Sequence, residues 1–294
     1  MLRAGRASAK LNLALELTGR RSDRYHQLVA VSQTIDWSDL IAVELAEGDS
    51  PMTAPAALLE LFGPEAGRVP QGPANLALRA ANLLRAEGHG APIVRLALDK
   101  RIPTQSGLGG GSADAATVLR LAGEGLSRDT LERLALECGA DVPFSLRGGA
   151  SLLHGVGEVM TPLPPLTSGA FLIVLLGSVA TAAAYRATRT GDFTDGGRAS
   201  ALAEALQAGA PPNPRLFGSG LQPAAERVLP ALGERLRALR AATPGVGWAM
   251  TGSGGAFFTY QPDPKAAVAL ARRAARSCPD CTVRVALPSP PESA

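Results

Sequence analysis

Lysine is nearly absent from this chain of 294 residues: Lys10, Lys100 and Lys265 are the lysines within a combined Lys+Arg count of 29. The basic residues are therefore almost all arginine, and they form no dense run. With a formal net charge of only +3, that distribution excludes the footprint of a nucleic-acid binder. Cysteine is scarce too. Three cysteines are an odd number that builds no disulfide framework, which suits a reducing, cytoplasmic enzyme. Cys278 and Cys281 make a lone C-x-x-C without a second pair or a nearby histidine, so zinc is disfavoured and they read as incidental cysteines at the start of a strand. Long apolar runs are missing as well. Residues 11–17 are too short for a secretory signal and contain Asn12 and Glu16. Residues 159–185 carry no charge, but Pro162, Pro164 and Pro165 interrupt one side, and Ser178 and Thr181 dilute the other. A membrane span needs about 20 predominantly apolar residues, so a buried strand running into a helix fits better. The chain reads as soluble, with neither membrane nor nucleic acid as partner.

What is present is a core-forming composition, 46% hydrophobic, which excludes disorder over most of the length. Strands are expected at residues 9–17, 29–35 and 40–45, with a turn at Asp36-Trp37-Ser38-Asp39. The stretch 48–73 reads as connection, with a short helix near Leu58. Helical spacing marks 75–85, and 94–98 alternates as a half-buried strand. Helices follow at 113–121, with Ser112 at its N-cap, and at 130–138, with a strand pair around 150–153 and 158–161. The second half reads as a strand at 171–176, helices at 181–190, 199–208 and 224–242, strands at 248–251 and 256–260, a helix at 265–277 and a strand at 282–286. That order suits a split β-α-β sandwich. Two domains are expected, 1–165 and 166–287, with 288–294 as a disordered tail.

The strongest chemical signal is Gly107-Leu108-Gly109-Gly110-Gly111-Ser112. Glycine lets a ligand approach the main chain closely, and the N-terminus of the following helix adds unpaired N–H groups and positive dipole. Together these make a phosphate cradle. The loop is not a Walker A loop, because no lysine precedes Ser112. Nor is it a dinucleotide fingerprint, because Ser112 stands where the last glycine belongs.

The segment from Pro103 to Thr117 resembles the phosphate loop of the GHMP kinase superfamily. Ala9-Lys10-Leu11-Asn12-Leu13, Tyr25-His26, Gly139-Ala140-Asp141-Val142-Pro143-Phe144 and Thr251-Gly252-Ser253-Gly254 stand around it in the superfamily's order. The set is similar to the branch of that superfamily that phosphorylates a cytidine diphosphate ester of methylerythritol in the non-mevalonate route to isoprenoids. The resemblance implies an α+β, two-domain GHMP kinase fold: an N-terminal ribosomal-protein-S5-domain-2-like domain and a C-terminal ferredoxin-like domain. It also implies ATP as donor, with Mg²⁺ delivered by the nucleotide and no metal site of the protein's own. A monomer or a homodimer is compatible with it.

By the same resemblance, Lys10 and Asp141 are the catalytic pair. Asp141 would accept or orient the proton of the acceptor hydroxyl, and Lys10 would neutralise phosphate and carboxylate. The ATP site would be Pro103, Thr104, Gln105, Ser106, Gly107, Leu108, Gly109, Gly110, Gly111, Ser112 and Ala113. Substrate would meet Asn12, Tyr25, His26, Thr181 and Tyr185, the aromatic rings stacking on cytosine. Without the resemblance, Lys10 would pass for a solvated charge and Asp141 for a turn cap. Four positions depart from the superfamily's usual residues: Arg24 and Gln105 replace glycine, Ala113 replaces serine, and Gly255 stands where proline is common. Gln105 puts the backbone at the start of the cradle in question. Two other readings stay open, a GHMP kinase acting on mevalonate derivatives, homoserine or sugars, and a kinase-like nucleotide binder without turnover. Tyr25, His26 and Tyr185 disfavour the first, and retention of both Lys10 and Asp141 disfavours the second.

Overall fold

A computed structural model describes residues 1–23, 25–46, 57–88 and 92–291. Two long antiparallel strands, β1 (Leu2–Arg20) and β2 (His26–Leu45), form its backbone. Their register shifts between Ser8 and Lys10 and again between Asn12 and Ala14. Such bulges bend a strand and re-aim its side chains, and here they flank Lys10 and Asn12. The central residues of β1 are buried on both faces. Helices cover one side and the second half of the chain covers the other.

The first sheet continues with β3 (Leu58–Phe62) and β4 (Ile93–Asp99) beyond β2, while β5 (Ala150–His154) and β6 (Val159–Leu163) extend from its other stretch. Helices α1 (Leu76–Glu87) and α2 (Gly110–Ala122) bury alanine-rich faces against it, with α3 (Arg128–Cys138) and α4 (Val142–Arg147) packed on α2. Small side chains let α1 and α2 lie close to the sheet, and this holds the glycine-rich loop at a fixed height above β1.

The second sheet contains β7 (Ala170–Leu175), β9 (Ala249–Met250), β10 (Ala256–Gln261) and β11 (Thr282–Ala286), in the spatial order β11-β7-β10-β9. All its pairings are antiparallel. With α8 (Ala231–Ala242) before β9 and α9 (Pro264–Ser277) before β11, this is the strand order of a ferredoxin-like βαββαβ unit. The chain does not stay with that sheet after residue 166. Following α5 (Thr181–Arg186), α6 (Gly197–Gln207) packs on β1 and β2, and β8 (Gly218–Ser219) pairs parallel to β1 at Ala14 and Leu15 before α7 (Gln222–Val228). One core joins the two sheets: Leu11, Leu13 and Ile35 lie with Phe171, Ile173 and Phe258. Each fully buried phenylalanine or leucine contributes about 1.5–3 kcal/mol, so the two halves meet through a dry interface.

Several local expectations are corrected. Residues 36–39 form no turn: β2 continues through them with a bulge opposite the Ser8–Lys10 step, because Asp39 is consumed by a buried ion pair and Asp36 bonds the C-terminal segment. Long-range pairing overrides turn-prone composition here. The segment near Leu58 is strand, drawn into parallel pairing with β4, while residues 47–56 of that connection lie outside the described part. The helix expected at 224–242 is broken at Leu229-Pro230, where proline lacks the N–H to continue it. Residues 288–291 are not a loose tail. Ser289 N–H donates to Thr34 O at 2.8 Å, and Pro291 bridges to Gly148; residues 292–294 are outside the described part. Cys278 and Cys281 are joined as a disulfide across the turn that ends α9, their Cα atoms 5.3 Å apart, well inside the bridging range. Among the described residues, no helix is long and apolar enough to cross a membrane.

Candidate active site

A cavity of about 920 Å³ opens where the two sheets meet. It is lined by the glycine-rich loop, by Lys10 and Asp141, and by Tyr25, His26 and Tyr185.

The loop is locked by contact as much as by sequence. Lys10 N–H donates to Leu108 O at 2.9 Å, tying β1 to the loop. Gly107 has φ +85°, and a Cβ there would stand 2.3 Å from Thr251 O, so the loop and the Thr251-Gly252 turn touch backbone to backbone. This gives the second glycine-rich motif a structural part in the site that its sequence left open. Gly109, not Ser112, is the N-cap of α2, with φ +72° and no side-chain cap bond. The correction has a simple cause. The chain turns into the helix through a left-handed residue, which puts Ser112 inside the first turn. The N–H groups at the head of α2 are thereby left open beside the cavity, which Gly110, Gly111 and Ser112 all line. That is the geometry of an anion cradle. Leu108 and Ala113, expected among the nucleotide contacts, bury their side chains in the core instead, and the other nine residues of that set line the cavity.

Gln105 adopts φ +53°. The departure from glycine therefore leaves the left-handed backbone in place and adds strain to it. Gln105→Gly is expected to raise stability by up to about 1 kcal/mol in a urea melt, since roughly 1–2 kcal/mol of strain goes and roughly 0.5–1 kcal/mol of backbone entropy returns. Gly255 sits at φ +101°, a conformation the proline ring cannot take. Arg24 is outside the described residues.

Lys10 is 5% exposed. Its Nζ donates to Asn12 Oδ1 and stands 3.4 Å from Asp141 Oδ2. Lys10 and Asn12 share a face of β1 through the period-two alternation of a strand. Asn12 Nδ2 donates to Ser32 Oγ at 2.8 Å, which turns the amide oxygen toward the lysine. Asp141 occupies the N-cap position of α4, yet its carboxylate caps nothing and its side chain is 44% exposed to the cavity. It is a free acceptor beside a fixed cation.

His26 starts β2 and its ring packs against Tyr185, centroids 5.2 Å apart. Thr188 donates its only hydroxyl proton to Tyr185 O at 2.8 Å. The 2.8 Å contact between His26 Nε2 and Thr188 Oγ1 must then have the histidine as donor, which leaves Nδ1 as an acceptor. Burial, helped by the charge of Arg20, lowers the His26 pKa, so the ring is neutral at pH 7. Tyr25 stands apart on the rim, 64% exposed. Burial first and the Asp141 charge second raise the Tyr185 phenol above its usual range. Thr181 lines the cavity and its Oγ1 bonds Ser253 Oγ at 2.9 Å.

One cluster beside the cavity escaped sequence reasoning. Lys100 Nζ bonds both Asp39 Oδ2 and Asp114 Oδ2, and all three side chains are buried. The lysine scarcity was the available signal, since two of the three lysines prove to line this one cavity. Burial outweighs the Lys100 attraction and, with the Asp39 repulsion, pushes the Asp114 carboxyl from 3.8 up to about 7. The folded chain thus holds a proton that the unfolded chain releases between pH 3.8 and about 7. Stability from this group is full below that window and is lost as pH rises through it. Asp114→Asn has no such titration. Thermal melts at pH 5 and pH 8 are expected to show the variant more stable than the parent at pH 8, with the difference shrinking at pH 5.

Residues 75–149 match the family model for the GHMP kinases N terminal domain. The chain is 38% identical over 265 residues to the 4-diphosphocytidyl-2-C-methyl-D-erythritol kinase of a Polaromonas species, an alignment covering 87% of this chain and 82% of that protein. To the enzyme of the same name from Pelotomaculum thermopropionicum it is 36% identical over 279 residues, covering 92% and 93%. A crystal structure of 4-(cytidine 5'-diphospho)-2C-methyl-D-erythritol kinase superposes with a TM-score of 0.70 at 34% identity, covering 97% of this chain and 99% of that one. Homoserine kinase from Cytophaga hutchinsonii superposes with a TM-score of 0.67 at 18% identity, covering 97% and 95%, a likeness of fold.

Proposed function

The chain belongs to the 4-diphosphocytidyl-2-C-methyl-D-erythritol kinase family, and from that premise we propose that it transfers the γ-phosphate of ATP to the 2-hydroxyl of that cytidine diphosphate ester, a step of the non-mevalonate route to isopentenyl diphosphate. The observation that carries the reading is the Lys10–Asp141 pair, 3.4 Å apart, in one cavity with the glycine-rich cradle and with Tyr25, His26 and Tyr185.

The cradle at the head of α2 holds the phosphates of ATP, its open N–H groups and helix dipole meeting the negative charge. Mg²⁺ comes with the nucleotide and keeps mainly phosphate and water ligands. Asn12 fixes the Lys10 ammonium, and Thr181, braced by Ser253, faces the acceptor. Asp141 receives the proton of the 2-hydroxyl as its oxygen forms the new bond to the γ-phosphorus; the bond from that phosphorus to the β–γ bridging oxygen breaks and ADP leaves. Phosphoryl transfer asks for positioning and charge stabilisation more than covalent chemistry, and Lys10 supplies the cation for both the phosphoryl oxygens and the carboxylate.

Base choice follows from the His26 tautomer. Its free Nδ1 lone pair accepts from the exocyclic amine of cytosine and repels the carbonyl oxygen that uracil presents there. Tyr185 offers a partly buried ring and Tyr25 an exposed ring at the rim, each giving a π face to the base. The test is ADP release measured with the cytidine substrate and with its uridine counterpart. The parent is expected to favour cytidine by about 1–3 kcal/mol, roughly 5- to 150-fold, the cost of leaving a buried polar group unpaired, and His26→Ala is expected to abolish the preference. Equal rates with both bases in the parent would rule out base reading by His26.

A further inference from the structure

The segment 103–109 is irregular in structure and lies between β4 and α2. Both its ends are fastened to the same point. On the entering side, Asp39 of β2 accepts the N–H of Ile102 at 2.8 Å through Oδ1, together with the N–H of Arg101. On the leaving side, Asp114 of α2 is held by Lys100. Lys100 also holds Asp39, so one ammonium ties β2, the end of β4 and the first turns of α2 together. The cluster lies directly under the cradle: a Cβ at Gly110 would stand 3.6 Å from Asp39 Oδ2 and 3.1 Å from Ile102 Cγ2. Asp114 Oδ1 is buried and has no partner among the described residues. Three buried charges with one unsatisfied oxygen are a poor way to gain stability, because desolvation cancels most of the Coulomb attraction. The arrangement does fix geometry, since a charge-assisted bond is shorter and about twice as strong as a neutral one.

We propose that Lys100 is a positioning residue for ATP: by bridging Asp39 and Asp114 it fastens both ends of the phosphate loop and sets the direction of its N–H groups. Its ammonium is taken up by the two carboxylates. The inference rests on the reading of the loop as the ATP cradle.

The test is calorimetric binding of ATP and, separately, of the cytidine substrate to the full chain, in the parent, Asp114→Asn and the double variant Lys100→Met with Asp114→Asn. Asp114→Asn is close to isosteric and removes a strained buried charge, so it is expected to melt higher than the parent at pH 8 while binding ATP at least about threefold more weakly, its bond to Lys100 being neutral on one side. The double variant, which removes the bridge while avoiding two unpaired carboxylates, is expected to lose about tenfold or more in ATP affinity. Affinity for the cytidine substrate is expected to change less than about twofold in either, because its pocket makes no bond to the cluster. A gain in stability paired with a loss confined to ATP is not what a merely structural ion pair would give. If folded Asp114→Asn binds ATP as tightly as the parent, or loses both ligands equally, the inference is overturned, even where the double variant does not fold. A parent that binds no ATP overturns the cradle reading, and the inference with it.

Discussion

Asp141→Asn is expected to lower kcat by about 10²–10⁴-fold, the usual range for removing a positioned general base. The substitution is nearly isosteric. The carboxylate caps no N–H of α4, but it is the counter-charge of the buried Lys10 ammonium. Its loss should therefore lower the melting temperature, by about 1–3 kcal/mol of stability for a buried group left without its partner, while the ammonium keeps its bond to Asn12 and the protein stays folded. KM for both substrates should move far less than kcat, because the carboxylate acts on a proton that moves only in the transition state. Steady-state kinetics beside a thermal melt check both parts. An enzyme with near-parental kcat would remove Asp141 from the chemistry.

Lys10→Met carries the second large effect. Its stem packs on the loop, where a Cβ at Gly109 would stand 3.0 Å from Lys10 Cγ, and methionine keeps much of that contact while deleting the charge. The ammonium is held by Asn12 and faces Asp141, and it stands beside the cradle that carries the phosphates. Removing a preorganised cation of this kind typically costs about 10²–10³-fold in kcat. The pair acts as a unit, so the double variant Lys10→Met with Asp141→Asn should lose much less than the product of the two single losses. Multiplicative losses measured in the four-member cycle would mean that the two groups act independently.

The parts of the site that sequence displayed are those where one residue type does a job that no other can. Gly107 and Gly109 are such positions, the first because any side chain would collide with Thr251 and the second because the chain enters α2 left-handed. Lys10 and Asp141 are different. Each is individually ordinary, and only their place in an ordered set of motifs marked them, because the separation of 131 residues is closed by tertiary packing and not by any local signal. The Lys100 cluster was hidden for the same reason in stronger form. Asp39 looked like part of a turn and nothing local marked Lys100, yet the fold brings both to Asp114. Composition misled at β3 as well, where alanine- and proline-rich surroundings suggested helix and pairing with β4 decided for strand. In the second half, alternation and helical spacing placed β7, β10, α9 and β11 within a residue or so of their observed limits, since each has one clearly apolar face. The return of α6 and β8 to the first sheet left no such mark, because short segments with buried alanine and glycine fit either side of an interface.

The measurement that bears most directly on the central claim is phosphorus NMR of the product formed from ATP and Mg²⁺ with the cytidine diphosphate methylerythritol substrate, run beside mevalonate, homoserine and galactose. A new phosphomonoester on the 2-hydroxyl of the cytidine compound alone, appearing with ADP and lost in Asp141→Asn, is the expected result. Transfer to one of the other acceptors in preference to it, or no transfer to any acceptor by a folded protein that binds ATP, would contradict the claim.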